Sequence, residues 1–452
     1  MAGHAIVVPY PGRGHINPMM HLARKLASHG ISATFVLTES WHKIVTEAED
    51  DVFSHAQKLG LDIQAALIPD CVVGGSKRWG NMADFFLSLS NMEIHVNELI
   101  TNLKRSGTAT SCIVADTFLR WAVPLAKRHN LLSVALWPMS VTTFSIFYHS
   151  DLVGLQGRID YIPGMPPLTP ADLPSALYAS PSPVTDEIAQ CFINVREADW
   201  VVGNSFYALD CKAIDALLHK TPVQSVGPLN MPSVHWGDEK GASQCSQWLD
   251  SKPAQSVIYV SFGSFVEVSR AQVREIAMGL MQSGYCFVWA LRPDKEASHV
   301  WEMLPAGYLE QCKEQGLVAP WFRQGEILSH PSVGGFFSHC GWNSIMESVS
   351  EGIPILGFPI GMDQFTNCKL VVDEWKFGLR GRSREDKNRI IEAEEIARKV
   401  KVLMEGEESL RLRGTVKRFR ELAQEEVTNG LSATNLKLLA DKLKAVKCPC
   451  KQ

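Results

Sequence analysis

The sequence predicts an α/β protein made of two doubly wound, mostly parallel sheets. Three observations predict it. An apolar run at Ala5 to Pro9, an amphipathic stretch from Pro18 to about Ser28 and a second apolar run at Ile31 to Leu37 read as a β-α-β opening. The same grammar returns in the second half, where Val333 to Ser338 and Ile353 to Phe358 flank a helical stretch closed by Gly352 and Pro354. Between the halves, Asn230 to Gln244 is polar and contains glycine, as a linker does. The expected domains are therefore 1–229 and 245–430, joined by 230–244 and followed by a last helix in 431–452.

In the first half, Tyr10 to Asn17 reads as a glycine-rich loop that places His15 at the end of the first strand, facing a cleft. Proline opens the next helix, since the first helical position needs no N–H. Gly12 and Gly14 invite a dinucleotide-binding reading, with Glu39 as the ribose acid, although Asn17 stands at the third glycine position. Asp50 to Asn91 is less periodic and contains Trp79, Phe85 and Phe86. Cys112 to Ala115 is a buried strand that ends in Asp116, which puts a carboxylate at the mouth of the sheet. Asp116 also suits a cap for a helix from Thr117 to His129. Leu132 to Trp137 is a further strand. Val153 to Ala176, rich in Pro and Gly, reads as a surface loop of the binding type. Trp200 onward reads as a strand that runs into a helix.

In the second half, Ser256 to Phe262 is a buried strand. Gly263 and Ser264 follow at its mouth, where small residues let backbone approach a phosphate; a plain strand-helix turn would look the same. Gln272 to Ser283 is helical and Tyr285 to Leu291 a strand. After Val333 to Ser338, the run HCGWNS turns the chain into a helix whose free N–H groups suit an anion. His339, Asn343 and Ser344 surround that point. Glu347, one turn on, is placed to accept from ribose hydroxyls. Asp363 and Gln364 end the next strand and can bind a sugar, while Trp321 offers a flat face to a base. Taken singly, a tryptophan is as easily core, and Asn-Ser as easily a helix cap. Together they describe a nucleotide-sugar. Three charged or amphipathic helices close the chain, at Glu392 to Glu405, Ser409 to Glu426 and Ala433 to Val446.

The order and spacing of Trp321, Gln324, His330, HCGWNS, Glu347, Gly352, Pro354, Pro359, Asp363 and Gln364 resemble the signature box of plant UDP-dependent glycosyltransferases. The runs PGRGHINPMMHLARKL and Cys112 to Phe118 are similar to that family's N-terminal motifs. The resemblance implies the GT-B fold, two Rossmann-like domains facing a cleft, with the last helix crossing back onto the first domain. It implies His15 as the base and Asp116 as its partner. It implies a UDP-sugar site built from Ser264, Trp321, Gln324, His339, Trp342, Asn343, Ser344, Glu347, Asp363 and Gln364. Glucose is the expected sugar, because Asp363 would repel a glucuronate carboxylate, Gln364 is usual in glucosyl users, and Trp342 stands where some glucuronate users have arginine. The acceptor is expected to be a flavonoid or another phenol, held near Phe85, Phe118 and Trp137; a terpenoid, a hormone acid or a carbon nucleophile stays open. The chain departs from the pattern at Phe322 and Arg323, and at Pro138, where many relatives have a sugar-binding threonine that Ser140 could replace.

Bulk properties narrow the rest. With 452 residues, 46% hydrophobic and 20% charged, the chain can bury large cores. A net charge of -4 without a basic tract disfavours nucleic acid as a partner. No apolar run approaches the roughly 18 residues of a membrane span, and the N-terminus shows no leader pattern. The 11 cysteines are scattered without a C-x-x-C pair, which suggests reduced thiols, no structural zinc and a cytoplasmic location. The expected protein is a monomer that uses UDP-glucose as co-substrate and no metal or other cofactor. The rival readings are an NAD-dependent oxidoreductase and a nucleotide-sugar binding protein without catalysis.

Overall fold

Two all-parallel sheets form the molecule, each buried between helical layers. The computed structural model describes residues 3–46, 52–70, 82–154, 156–178, 181–231, 244–263, 267–294, 297 and 299–446. Ser264, Trp79, most of the 230–244 linker and the cysteines at 448 and 450 lie outside the described residues.

The first sheet comprises β1 Gly3–Val8, β2 Ile31–Thr38, β3 Ile63–Ile68, β4 Thr110–Asp116, β5 Leu132–Trp137, β6 Trp200–Gly203 and β7 Val223–Ser225. Their order in space is β3-β2-β1-β4-β5-β6-β7. The order reverses between β1 and β4, which pair from His4–Thr110 to Val8–Ala115. That switch point is where an open α/β sheet leaves a crevice outside its strand ends. The second sheet comprises β8 Val257–Ser261, β9 Cys286–Ala290, β10 Gly316–Ala319, β11 Val333–Ser338, β12 Ile355–Gly357 and β13 Gly378–Arg380. Its order is β10-β9-β8-β11-β12-β13, with the switch between β8 and β11. Both central strands read as uninterrupted apolar runs because both faces are covered.

Some elements differ from the sequence reading. The first helix, α1, runs Arg13–Ser28 and so contains Pro18 rather than starting at it. Most of the expected glycine-rich loop is therefore helix. After Asp116 the chain makes a turn, and the helix begins only at Ala122. Asp116 caps that turn, its Oδ1 accepting from the Phe118 N–H at 3.0 Å. The short strands β3, β7, β10 and β13 carried no clear periodic signal.

The halves are docked through several side chains of the second half that donate to main-chain carbonyls of the first. Arg384 donates to Ala171 O at 2.9 Å and also to Leu173 O. Thr366 Oγ1 reaches Asp172 O at 2.6 Å. The indole N–H groups of Trp342 and Trp375 reach Asn204 O and Leu209 O at 2.7 and 3.0 Å. The last helix, Leu431–Ala445, packs on the first sheet, with Leu436, Leu439, Ala440 and Leu443 buried among side chains of β1, β2 and α1. Asn435 Nδ2 donates to Ser225 O at 2.9 Å. Among the described residues, no helix is long and apolar enough to cross a membrane.

Candidate active site

His15 lies in the first turn of α1, where the chain leaves β1 at the switch point. Its Nδ1 is 2.7 Å from Asp116 Oδ2. The Asp116 side chain is fully buried and the imidazole is 19% exposed. The carboxylate at Nδ1 assigns the proton to that nitrogen, because an ionised carboxylate can only accept. Nε2 is then the free lone pair. Tyr10 packs against the imidazole with ring centroids 4.6 Å apart, and Phe118 follows at 5.9 Å. Phe85 and Phe86 complete this wall around Tyr10. Trp137 is fully buried behind Phe118 and donates to Ser140 O at 2.8 Å, so it supports the wall from within. Sequence reading named Phe86 without assigning it to the site, and missed Tyr10. Their only signal was position, one at the end of β1 and one beside Phe85.

Ser140 does not take over from the missing threonine at 138. Its Oγ caps the helix Val141–Tyr148 by accepting from the Thr143 N–H, and the residue is fully buried.

The opposite wall is built at the end of β11. Cys340 takes a left-handed conformation, φ 62°, and the helix Trp342–Glu351 follows with Gly341 as its N-cap. The His339 ring fits between two glycines. A Cβ on either Gly263 or Gly341 would come within 2.4 Å of its Nε2. Burial lowers its pKa to about 4, with the nearby Arg292 charge acting in the same direction, so the ring is neutral. Its Nδ1 is enclosed and has no hydrogen-bond partner among the described residues. Helix N–H groups and this neutral imidazole together form a donor-rich corner that suits phosphate.

Gln324 Nε2 donates to Ser344 Oγ at 2.9 Å and also to Glu347. Burial raises the Glu347 pKa to about 7 against the opposing effect of the Gln324 bond. Trp321 is 54% exposed, and the Arg13 guanidinium lies 4.4 Å over its ring. Asn343 Nδ2 donates to Gly14 O at 3.1 Å. Trp342 turns its ring away into the contact between the halves and is 3% exposed. Burial raises the Asp363 pKa, opposed by a bond from Asn367 at 2.7 Å, and the carboxylate senses His15. Gln364 Oε1 is committed to the N–H groups of Ile360 and Gly361, at 2.8 and 3.0 Å, which leaves its Nε2 as the outward donor.

The structure thus brings His15, Asp116, Asp363, Asn343 and Trp321 to one crevice, with Glu347 and Gln324 beside the platform. Of the glycines behind the dinucleotide reading, Gly12 is extended, φ -161°, and precedes α1, and Gly14 lies in its first turn. Among the described residues, no group of three His, Cys, Asp or Glu side chains is placed to hold a metal.

Known proteins resemble this chain along nearly its whole length. A family profile described as UDP-glucoronosyl and UDP-glucosyl transferase matches residues 234–406, and one described as the N-terminal domain of glycosyltransferases matches 4–51. UDP-glycosyltransferase 86A1 of Arabidopsis thaliana is 38% identical over 98% of this chain and 94% of its own. Gallate 1-beta-glucosyltransferase of Quercus robur is 32% identical over 98% and 90%. Among solved structures, a UDP-glucosyltransferase of Polygonum tinctorium that glucosylates indoxyl superposes with a TM-score of 0.86 at 28% identity, covering 99% of this chain and 100% of that one. A Phytolacca americana enzyme complexed with UDP-2fluoro-glucose and pterostilbene gives 0.83 at 25%, covering 98% and 100%.

Proposed function

The chain belongs to the plant UDP-glycosyltransferase family, and from that premise we propose that it moves glucose from UDP-glucose, with inversion, to a hydroxyl of a flat phenolic acceptor such as a flavonoid. The observation that carries this reading is the His15–Asp116 pair at 2.7 Å, set in an aromatic wall and facing the phosphate corner. The acceptor O–H gives its proton to His15 Nε2 as that oxygen attacks the anomeric carbon. The bond from that carbon to the β-phosphate oxygen breaks, and its electron pair leaves with UDP. Asp116 holds the ring in the required tautomer and stabilises the imidazolium that forms.

In this reading Trp321 stacks the base and Glu347 takes the ribose hydroxyls. His339, Ser344 and the helix N-terminus, with Ser264, take the diphosphate. Asp363 and the free Nε2 of Gln364 take the sugar hydroxyls; an acidic residue at this place favours a neutral sugar over glucuronate. Residues 1–229 would hold the acceptor and 245–430 the donor, joined through 230–244. The dyad also separates this reading from a binding protein without catalysis, and family membership overturns the oxidoreductase reading. The aromatic wall of Tyr10, Phe85, Phe86 and Phe118 favours a planar acceptor. A phenolic acid is the second reading, favoured by the relatives named for gallate. Eight unpaired cysteines among the described residues support a reducing, cytosolic setting.

The test is a panel of UDP-glucose, UDP-galactose and UDP-glucuronate against phenols and phenolic acids, with a chelator present and products read by mass. Transfer of glucose is expected to persist in the chelator and to exceed the other sugars. His15→Ala should lose about 10²–10⁴-fold in turnover while still binding UDP. Unchanged turnover in that variant would remove His15 as the base.

A further inference from the structure

The first turn of α1 touches the proposed donor site at two points. Arg13 spans the cleft to lie over Trp321, and the neighbouring Gly14 carbonyl takes the amide of Asn343. The second contact has a cause within α1. A carbonyl at position 14 would normally accept the N–H of residue 18, and Pro18 has none. Gly14 O is therefore left for a donor from the opposite half. The Arg13 side chain is rooted beside the phosphate corner at the start of the helix Trp342–Glu351, and its tip reaches the base platform.

We infer that Arg13 is a further donor-binding residue, whose guanidinium exchanges the Trp321 ring for the diphosphate of UDP when the nucleotide enters. A base that stacks on Trp321 needs the ring face. A guanidinium over a half-exposed indole makes one of its weaker contacts, whereas a fork of N–H donors on a phosphate makes one of its strongest. The charge inventory points the same way. The diphosphate is doubly negative, and His339 on the far wall is neutral. Arg292, near His339, supplies positive charge from the second half. Arg13 supplies it from the first half, two residues from His15. Such a pairing joins the donor to the element that carries the base.

This rests on the donor site proposed above. Its test is the binding of UDP by calorimetry, and of uridine by ligand-observed NMR, to the full chain and to Arg13→Ala and Arg13→Lys. Arg13→Ala is expected to weaken UDP about tenfold while uridine stays within about twofold, since only UDP carries the diphosphate. Arg13→Lys should fall between, because it keeps the charge and loses the fork. Added salt should erode UDP affinity more in the parent than in Arg13→Ala. UDP bound equally or more tightly by Arg13→Ala would overturn the inference and leave Arg13 as a cover on the ring. Equal weakening of UDP and uridine would also overturn it. Failure of the parent to bind UDP would instead sink the donor site itself.

Discussion

Glu347 has a pKa of about 7, raised by burial from its ordinary 4.5. Its folded state therefore holds a proton that the unfolded chain has lost across that interval. For the unliganded protein, this group's contribution to stability is full below about pH 4.5 and falls as pH rises toward 7, by at most on the order of 3 kcal/mol. Ribose hydroxyls would donate to the carboxylate and favour its charged form. UDP should accordingly bind more tightly at pH 8 than at pH 6 and release a proton near neutrality, read by calorimetry in buffers of different ionisation enthalpy. Glu347→Gln should flatten that dependence. A flat profile in the parent would mean that Glu347 does not meet the ribose. At this scale the placement of the second half's residues was partly legible, because Trp321 through Gln364 lie in one contiguous run, although Trp342 turns into the contact between the halves. The aromatic wall of the first half was less so: Tyr10, Phe85, Phe86 and Phe118 meet only after β3, β2, β1 and β4 are laid side by side.

α1 shows why an element can be recognised and still be misplaced. Proline commonly opens a helix, and reading Pro18 that way shortened α1 by five residues, because Arg13 is the true start. The missing bond at Pro18 is tolerated because Asn343 satisfies the Gly14 carbonyl from another domain. Local sequence cannot reveal a partner more than three hundred residues away. Pro18→Ala supplies the absent N–H and removes the need for Asn343. Helix stability should not fall, since proline inside a helix costs about 3 kcal/mol, while kcat drops several-fold as the first turn loses its tie to the phosphate corner. Thermal melting alongside steady-state kinetics separates the two effects, and an unaltered kcat would show that the tie is incidental. The strands β7, β10 and β13 went unread for a different reason: at three or four residues each, period and composition carry little signal.

For the whole molecule, the last helix is part of the first core although it is last in sequence. Leu436, Leu439 and Leu443 are buried against the first sheet. At about 1.5–3 kcal/mol for each leucine, their loss approaches the about 5–15 kcal/mol that holds a typical fold. Deleting residues 431–452 should give insoluble or unfolded protein, checked by sedimentation and far-ultraviolet circular dichroism. A soluble, cooperatively melting truncation would refute that account of the core.

Much of the grip between the halves is written in backbone atoms of the first half. Arg384, Thr366, Trp342, Trp375 and Asn343 all seek carbonyls there. A carbonyl is the same whatever side chain its residue bears. The first half can therefore exchange the side chains around its crevice without renegotiating its seat on the second half. Chimaeras that graft a foreign first half onto residues 245–430 should assemble wherever the main-chain path is kept, however different the side chains around the grafted crevice.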